Sequence, residues 1–317
     1  MQEALIAVDV GGTKSAVGIV TREGQVLGRR VEPARVQLGP RAMIDRYVAM
    51  ALELAEKVTG VRLVAVGVGC GGPLDAGTGV IHSPTNLPGW DDLPLGEILA
   101  ARLGLPVTVE NDANAAALGE WLFGRGRGLR HLVYVTVSTG IGAGLILDGR
   151  LYRGRTGNAG EVGHTSVKPH GPRCGCGNRG CLEVMASGTG MARRAGELFA
   201  RDAGPHGSAG APPVDAAELL ARARAGDPVA RMAWDAAMGY LGVGIANLVS
   251  VLDPELVILG GGVTRAGAEL IDPVRAEVAW RARWFYHPGL IVISDLGDDV
   301  GLVGAAAAAE YRLRGMG

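Results

Sequence analysis

At 317 residues and 48% hydrophobic content, the chain has enough apolar material for one large globular domain or two ordinary ones. A formal net charge of -1 and a pI near 6.6 leave no basic excess to draw it to nucleic acid or an anionic membrane. Positive charge comes almost wholly from arginine, which reads as GC-rich coding bias, so the three lysines (Lys14, Lys57 and Lys168) each carry more information than a surface arginine.

The N-terminal MQEALIAVDV enters a strand-like run without a basic region, a long apolar stretch or a small-residue cleavage site. No later run approaches membrane-spanning length, so a cytoplasmic protein is expected. Thiols stay reduced in that compartment, which makes a local cysteine cluster a candidate for metal binding or chemistry rather than a structural disulfide.

In chain order, ALIAVDVGGTKSAVGIV (4–20) predicts a strand, a glycine turn and a returning strand. Phosphate sites need backbone N–H groups crowded around anionic oxygens, which small side chains permit, so the run Asp9-Val10-Gly11-Gly12-Thr13-Lys14 is a plausible cradle. The GxxxxGK[ST] spacing of a P-loop is absent. Asp9, at the strand end, can hold water on Mg²⁺ or simply cap the turn. RAMIDRYVAMALELAEKV (41–58) reads as a helix, LVAVGVGCGGPL (63–74) as a strand and turn, and the isolated Cys70 as a small buried hydrophobe.

SPTNLPGW offers Asn86, and VTVENDANAAALGEW (107–121) predicts a strand ending near Glu110 with a helix beginning near Ala113. Asn111 and Asp112 therefore sit at a strand-to-helix junction, where ligands commonly bind in α/β proteins, although either residue is also a favoured N-cap. LVYVTVSTGIGAGLILDG (132–149) repeats the strand, Gly/Thr turn and strand of the N-terminus about 127 residues on, weak internal symmetry that suggests two similar lobes. Strands alternating with helices argue for an α/β protein.

GNAGEVGHTS supplies Glu161 and His164, and CGCGNRGCLE (174–183) supplies Cys174, Cys176, Cys181 and Glu183. The C-x-C-x4-C spacing with a histidine ten residues upstream suits a closed, structural zinc site of the Cys₃His type. The one GxGxxG match, Gly175, Gly177 and Gly180, follows no β-run and is rejected as a dinucleotide site. Asn86, Asn111, Asp112, Glu161, His164 and Glu183 together suit a polyhydroxylated ligand, because carboxylates accept from hydroxyls while Asn and His can do either.

The rest of the chain predicts a Gly/Pro/Ala-rich exposed loop at 201–213 and a helix from Pro228 capped by Asp227. ELVILGGGV (255–263) reads as a further strand and turn, and the alanine-rich VGLVGAAAAAEYRLR as a closing helix.

VDVGGTKSAVGIV, VENDANAAALGE, TVSTGIGAGLILDGRLYRG, NAGEVGH and CGCGNRGCLE, in this order and at these distances, resemble the ROK family of sugar kinases and regulators, and within it the glucokinase type. The resemblance spans nearly the whole chain, and its most specific part is the Glu161–His164 segment with the cysteine run. It implies the two-lobed actin-like (ribonuclease H-like) ATPase fold, with sugar and ATP meeting in a cleft. The N-terminal lobe would be 1–113, with the helix at about 301–317 packing back on it, and the C-terminal lobe 114–300 would carry the zinc knot.

By the same resemblance, Gly11, Gly12, Thr13 and Lys14 would contact the ATP phosphates, Asp9 would reach Mg²⁺ through water, Thr139 and Gly140 would form a second phosphate turn, and Gly261 and Gly262 would let adenosine lie close. Gly72, Asn86, Asn111, Asp112, Glu161, His164 and Glu183 would hold the sugar, with Asp112 accepting the proton of its 6-hydroxyl. An aspartate of ordinary pKa, about 3.9, is ionised at neutral pH and needs no tuning for that role. His164 would turn one ring nitrogen to zinc and the other to the sugar. A homodimer or homotetramer is implied.

Glucose is the first substrate expected, ahead of fructose, mannose, N-acetylmannosamine and N-acetylglucosamine, because SPTNLPGW and GNRGCLE resemble the glucokinase type most. A repressor is disfavoured, since only eight residues precede Asp9. A catalytically dead sugar sensor is disfavoured by the presence of Asp112, Glu161 and both phosphate turns.

Overall fold

The structure, a computed structural model, describes residues 1–84, 86–202 and 214–316. The loop expected at 201–213 lies outside the described residues from position 203 onward.

The chain opens with β1 (Gln2–Val10), β2 (Lys14–Thr21) and β3 (Val26–Pro33), followed by helix α1 (Gly39–Lys57) and β4 (Val61–Cys70). A two-stranded pair, β5 (Leu74–Asp75) and β6 (Val80–Ile81), precedes α2 (Leu95–Leu103), β7 (Val107–Asn111) and α3 (Asp112–Leu122). Next come β8 (Leu132–Val137), β9 (Ile141–Leu147), β10 (Arg150–Leu151), α4 (Leu182–Ala186), α5 (Gly188–Asp202), α6 (Ala216–Arg224) and α7 (Pro228–Leu252). The chain closes with β11 (Leu256–Gly260), α8 (Ala268–Arg281), β12 (Ile291–Ile293) and α9 (Val300–Leu313).

Two five-stranded sheets result, ordered β3-β2-β1-β4-β7 and β10-β9-β8-β11-β12. Each places three consecutive strands in reverse and then two later ones, so the similarity of the two glycine-turned hairpins extends to the sheet plan. In the first sheet β1–β2 and β2–β3 are antiparallel, while β1–β4 and β4–β7 are parallel. In the second, β9–β10 is antiparallel and β11–β12 parallel.

Packing divides the chain into two compact units, one of Met1–Tyr134, Gly144–Gly160 and Ser294–Gly317, the other of Val135–Ala143 and Glu161–Ile293. These differ from the expected ranges 1–113 and 114–300, because α3 and the end of β9 lie with the first unit. The physical reason is close backbone approach: a Cβ on Gly144 would fall 2.5 Å from the Ala113 carbonyl oxygen, and one on Gly119 would fall 3.1 Å from Gly304 Cα in α9.

Within the first unit, β1 alternates as a strand buried on both faces must. Ile6, Val8 and Val10 join Met43, Tyr47, Leu95 and Leu99 in one core, and Leu5 and Ala7 join Leu302, Ala305, Ala306 and Ala309 of α9 in another. The alanines of α9 let it lie close on the sheet, where a Cβ on Gly67 of β4 would fall 1.8 Å from the Ala305 carbonyl oxygen.

Within the second unit α7 packs against α4, α5, α6 and α8, with Asp227 capping it through bonds from the Val229 and Ala230 amides. At 25 residues it is, against the sequence expectation, long and apolar enough to cross a membrane. Its buried Trp234, Leu241, Ile245 and Val249 give it the role of a core helix.

Candidate active site

The end of β1 presents Asp9, half-buried, and the chain turns through Gly11–Thr13 into β2 at the exposed Lys14. The Asn86 loop lies against this turn: a Cβ on Gly12 would fall 2.9 Å from the Asn86 carbonyl oxygen and 3.3 Å from Asn86 Nδ2. Asn86 also faces Gly71, whose Cβ would fall 3.6 Å from Nδ2. The base of this loop is tied by a 2.6 Å contact of His82 Nδ1 with Asp92 and by Ser83 Oγ donating to Asp91 at 2.5 Å.

Asn111 caps α3, its Oδ1 accepting from the Ala113 and Asn114 amides at 3.0 and 3.2 Å. Capping and ligand binding are compatible, since a Cβ on Gly72 would fall 3.6 Å from Asn111 Nδ2 and that group keeps its donors. Asp112 opens α3 with Oδ1 accepting from the Ala113 amide at 2.8 Å. Its side chain reaches solvent at the surface while the protein crowds around it, and this desolvation pushes its pKa above the usual carboxylate value. The expectation of an untuned aspartate is thus corrected.

Asp9 follows the same rule more strongly, with burial first and the Asp112 charge second pushing it up to about 6. Part of that burial comes from α9, where a Cβ on Gly301 would fall 2.4 Å from Asp9 Oδ2. Asp9, Gly12, Gly72, Asn86, Asn111 and Asp112 therefore form one group of the first unit.

A raised carboxylate pKa destabilises the folded state. The native protein binds more protons than the unfolded chain between about pH 4 and 6, so Asp9 contributes no penalty below its unfolded value and its full penalty above about 6. In ligand-free, Mg²⁺-free protein, Asp9→Asn is expected to raise stability at pH 7.5 by on the order of 1–3 kcal/mol. The gain should shrink toward zero as the pH falls to about 4, which thermal melts of both proteins across pH would check.

In the second unit, the Ser138–Gly140 turn follows β8. Glu183, in the first turn of α4, accepts from the Ile141 amide through Oε2 at 3.1 Å, and a Cβ on Gly140 would fall 2.6 Å from the same oxygen. The Glu161–His164 turn packs onto the same strand end, where a Cβ on Gly163 would fall 2.0 Å from the Ile141 carbonyl oxygen. Glu183, assigned to the sugar by sequence, thus lies directly at the second glycine turn. Gly261, with φ 89°, leaves room for the Val137 carbonyl oxygen, 2.5 Å from where a Cβ would be, and Gly262 faces open space.

The ligand atoms of His164, Cys174, Cys176 and Cys181 all lie within 4.8 Å of one another. A tetrahedral zinc ion with ordinary bond lengths sets its sulfurs about 3.8 Å apart and sulfur from nitrogen about 3.6 Å apart. Cys176 Sγ lies 3.7 Å from Cys181 Sγ, and Cys174 Sγ lies 3.6 Å from His164 Nδ1. The four residues fit zinc. The other ring nitrogen, His164 Nε2, lies 3.7 Å from Glu161 Oε2. Gly177 and Gly180, at φ 91° and 60°, supply the turns between the cysteines. A bridge between Ser166 and Cys181 and a 2.9 Å bond from the Leu182 amide to the Thr165 carbonyl join the histidine and Glu183 sides of the knot.

Sequence reasoning missed the start of α5. Thr189 Oγ1 donates to the Thr139 carbonyl at 2.7 Å and the Gly188 amide to the Ser138 carbonyl at 2.7 Å, docking the helix on the second glycine turn. The available signal was SGTG at 187–190, which repeats the small-residue chemistry of the turn it meets.

Residues 5–312 match the ROK family. The chain belongs to the ROK family. A glucokinase of Thermotoga maritima is 39% identical over 315 residues, 98% of either chain. Among solved structures, a ROK hexokinase from Thermus thermophilus superposes with a TM-score of 0.83 at 37% identity, covering 98% of this chain and 99% of that one. A ROK glucokinase from Streptomyces griseus in complex with glucose and AMPPNP superposes with a TM-score of 0.79 at 36% identity, covering 96% and 98%. This ROK chain thus has the actin-like ATPase fold expected of it, and its cysteine cluster fits the zinc reading.

Proposed function

We propose that this ROK protein is an ATP- and Mg²⁺-dependent hexose kinase that phosphorylates the sugar 6-hydroxyl, with glucose as its substrate. The observation that carries the reading is Asp112: one oxygen is fixed on the Ala113 amide, and the side chain stands open to solvent within the group formed by Gly12, Gly72, Asn86 and Asn111. A positioned carboxylate beside hydroxyl-binding groups and a phosphate-sized glycine turn is what in-line transfer to an alcohol needs.

Asn86, Asn111 Nδ2, Glu161, His164 and Glu183 hold the sugar hydroxyls, with the Gly72 backbone beside them. Asp112 takes the proton of the 6-hydroxyl as that oxygen attacks the γ-phosphorus, and the bond from that phosphorus to the β,γ-bridging oxygen breaks to release ADP. Gly11, Gly12, Thr13, Lys14, Thr139 and Gly140 hold the phosphates, and Gly261 and Gly262 admit the nucleoside. Asp9 would hold Mg²⁺ through water, and the ion would supply charge neutralisation on the phosphates. Zinc on His164 and the three cysteines is structural, fixing the ring so that Nε2 faces outward.

A coupled ADP-release assay over glucose, fructose, mannose, N-acetylmannosamine and N-acetylglucosamine tests this. The highest kcat/KM is expected for glucose with ATP and Mg²⁺. Preference for another sugar would move the substrate, and exclusive use of polyphosphate would overturn the nucleotide assignment. Sugar binding by calorimetry without any turnover would mark a regulator.

A further inference from the structure

Glu110 ends β7 immediately before Asn111 and Asp112, and it is 1% exposed. Its Oε1 accepts from the Asn111 amide at 3.1 Å and from Asn114 Nδ2 at 3.0 Å, so one carboxylate oxygen holds the chain on both sides of Asp112. Its Oε2 accepts from Arg153 Nε and Nη2 at 2.9 and 2.7 Å. Arg153 comes from just beyond β10, and its guanidinium lies 6.0 Å from the ring centroid of Tyr311 in α9. The Tyr311 hydroxyl accepts from the Leu151 amide at 3.2 Å, which fixes the strand that delivers Arg153.

A buried carboxylate needs a charged partner, and among the described residues Arg153 is the cation that bonds Glu110. Without the guanidinium, Oε2 is left to compete for the donors that Oε1 now holds, and the turn at residues 111–114 loses its fixed geometry. We infer that Glu110 and Arg153 are positioning residues for the phosphoryl transfer, aiming Asp112 and Asn111 from beneath without touching the substrate. This rests on Asp112 acting as the base in the kinase reading above.

Arg153 and Glu110 line a cavity of about 260 Å³ whose walls include Thr78, Glu97, Val109 and Arg312. Arg153 is about one-third exposed, so truncating it opens a water-accessible path to the Glu110 carboxylate. A small guanidinium ion can then re-enter the place of the lost head group.

The test compares wild-type protein with Arg153→Ala and Arg153→Lys at a temperature well below either melting point, with rates referred to folded protein. In Arg153→Ala, kcat is expected to fall by between roughly ten- and a hundredfold with the ATP KM within about twofold of wild type. Millimolar methylguanidinium should restore its kcat saturably and leave wild type unaffected. Arg153→Lys keeps the charge but lacks the paired N–H donors, so it should also lose kcat, and it carries the comparison if the alanine variant does not fold. Wild-type kcat in either folded variant overturns the inference, as does a loss in folded Arg153→Ala that methylguanidinium leaves unrestored. Wild-type protein without turnover on any sugar refutes the kinase reading instead.

Discussion

Asp112→Asn is expected to lower kcat for sugar phosphorylation by roughly 10²–10⁴ while leaving the fold intact. The amide retains an oxygen in the place of Asp112 Oδ1, so the 2.8 Å bond from the Ala113 amide survives and α3 still begins where it does. What is lost is the proton acceptor. Desolvation by the protein crowded around Asp112 already disfavours its charged form, so the neutral amide should melt at the same temperature as wild type or higher. In the proposed mechanism Asp112 works ionised, and its pKa is raised, so kcat/KM should fall on the acid side at a pH above that of an ordinary aspartate. Near-normal turnover of Asp112→Asn, measured by ADP release at saturating glucose, would remove Asp112 from the role of base.

The second large effect is expected from the zinc knot. Elemental analysis should find about one zinc per chain, since four protein ligands close the coordination shell. Apparent binding energies for structural zinc in small peptides are roughly 10–16 kcal/mol near neutral pH, so chelation or Cys176→Ala should lower the melting temperature sharply. The functional consequence is directional. His164 donates one side of its ring to the metal cluster and turns the other to Glu161, and the bond from the Leu182 amide to Thr165 carries the same constraint to Glu183. Of the residues proposed for the phosphates, Asp9 and Gly11 to Lys14 lie in the other unit, while Gly140 adjoins Glu183. Metal loss should therefore raise the sugar KM by roughly tenfold or more, and by more than it raises the ATP KM. Active enzyme purified without zinc would refute the site, and metal-depleted enzyme with wild-type sugar affinity would refute the coupling.

The sequence was legible where chemistry is local. Asn111 as a cap, Asp227 with Pro228 at a helix start, the glycine turns after β1 and β8, and the C-x-C-x4-C knot all depend on neighbours within about ten residues. What was not legible depends on distant approach. The raised pKa of Asp112 comes from atoms that crowd it in three dimensions, which a list of neighbouring residue types does not reveal. Gly301 sits among alanines and shows its purpose only because α9 begins against Asp9. Arg153 looks like one more arginine in an arginine-rich chain until it is found on Glu110, 43 positions away. The packing units differ from the expected lobes for the same reason, since the small residues that let α3 meet α9 are far apart in the chain.

The place of α9 has a consequence for how the protein is made. Leu5 and Ala7 leave the ribosome about 300 residues ahead of the helix that covers them with Leu302, Ala305 and Ala309. At 5–20 residues per second, roughly 15–60 s of translation separate the two. The second unit is nearly continuous in sequence, lacking only 135–143 from its main span of 161–293, and has all its parts before the first does. The unit whose first strands are synthesised earliest can thus complete its core only after the other unit has all its parts, with one face of its sheet uncovered until α9 emerges.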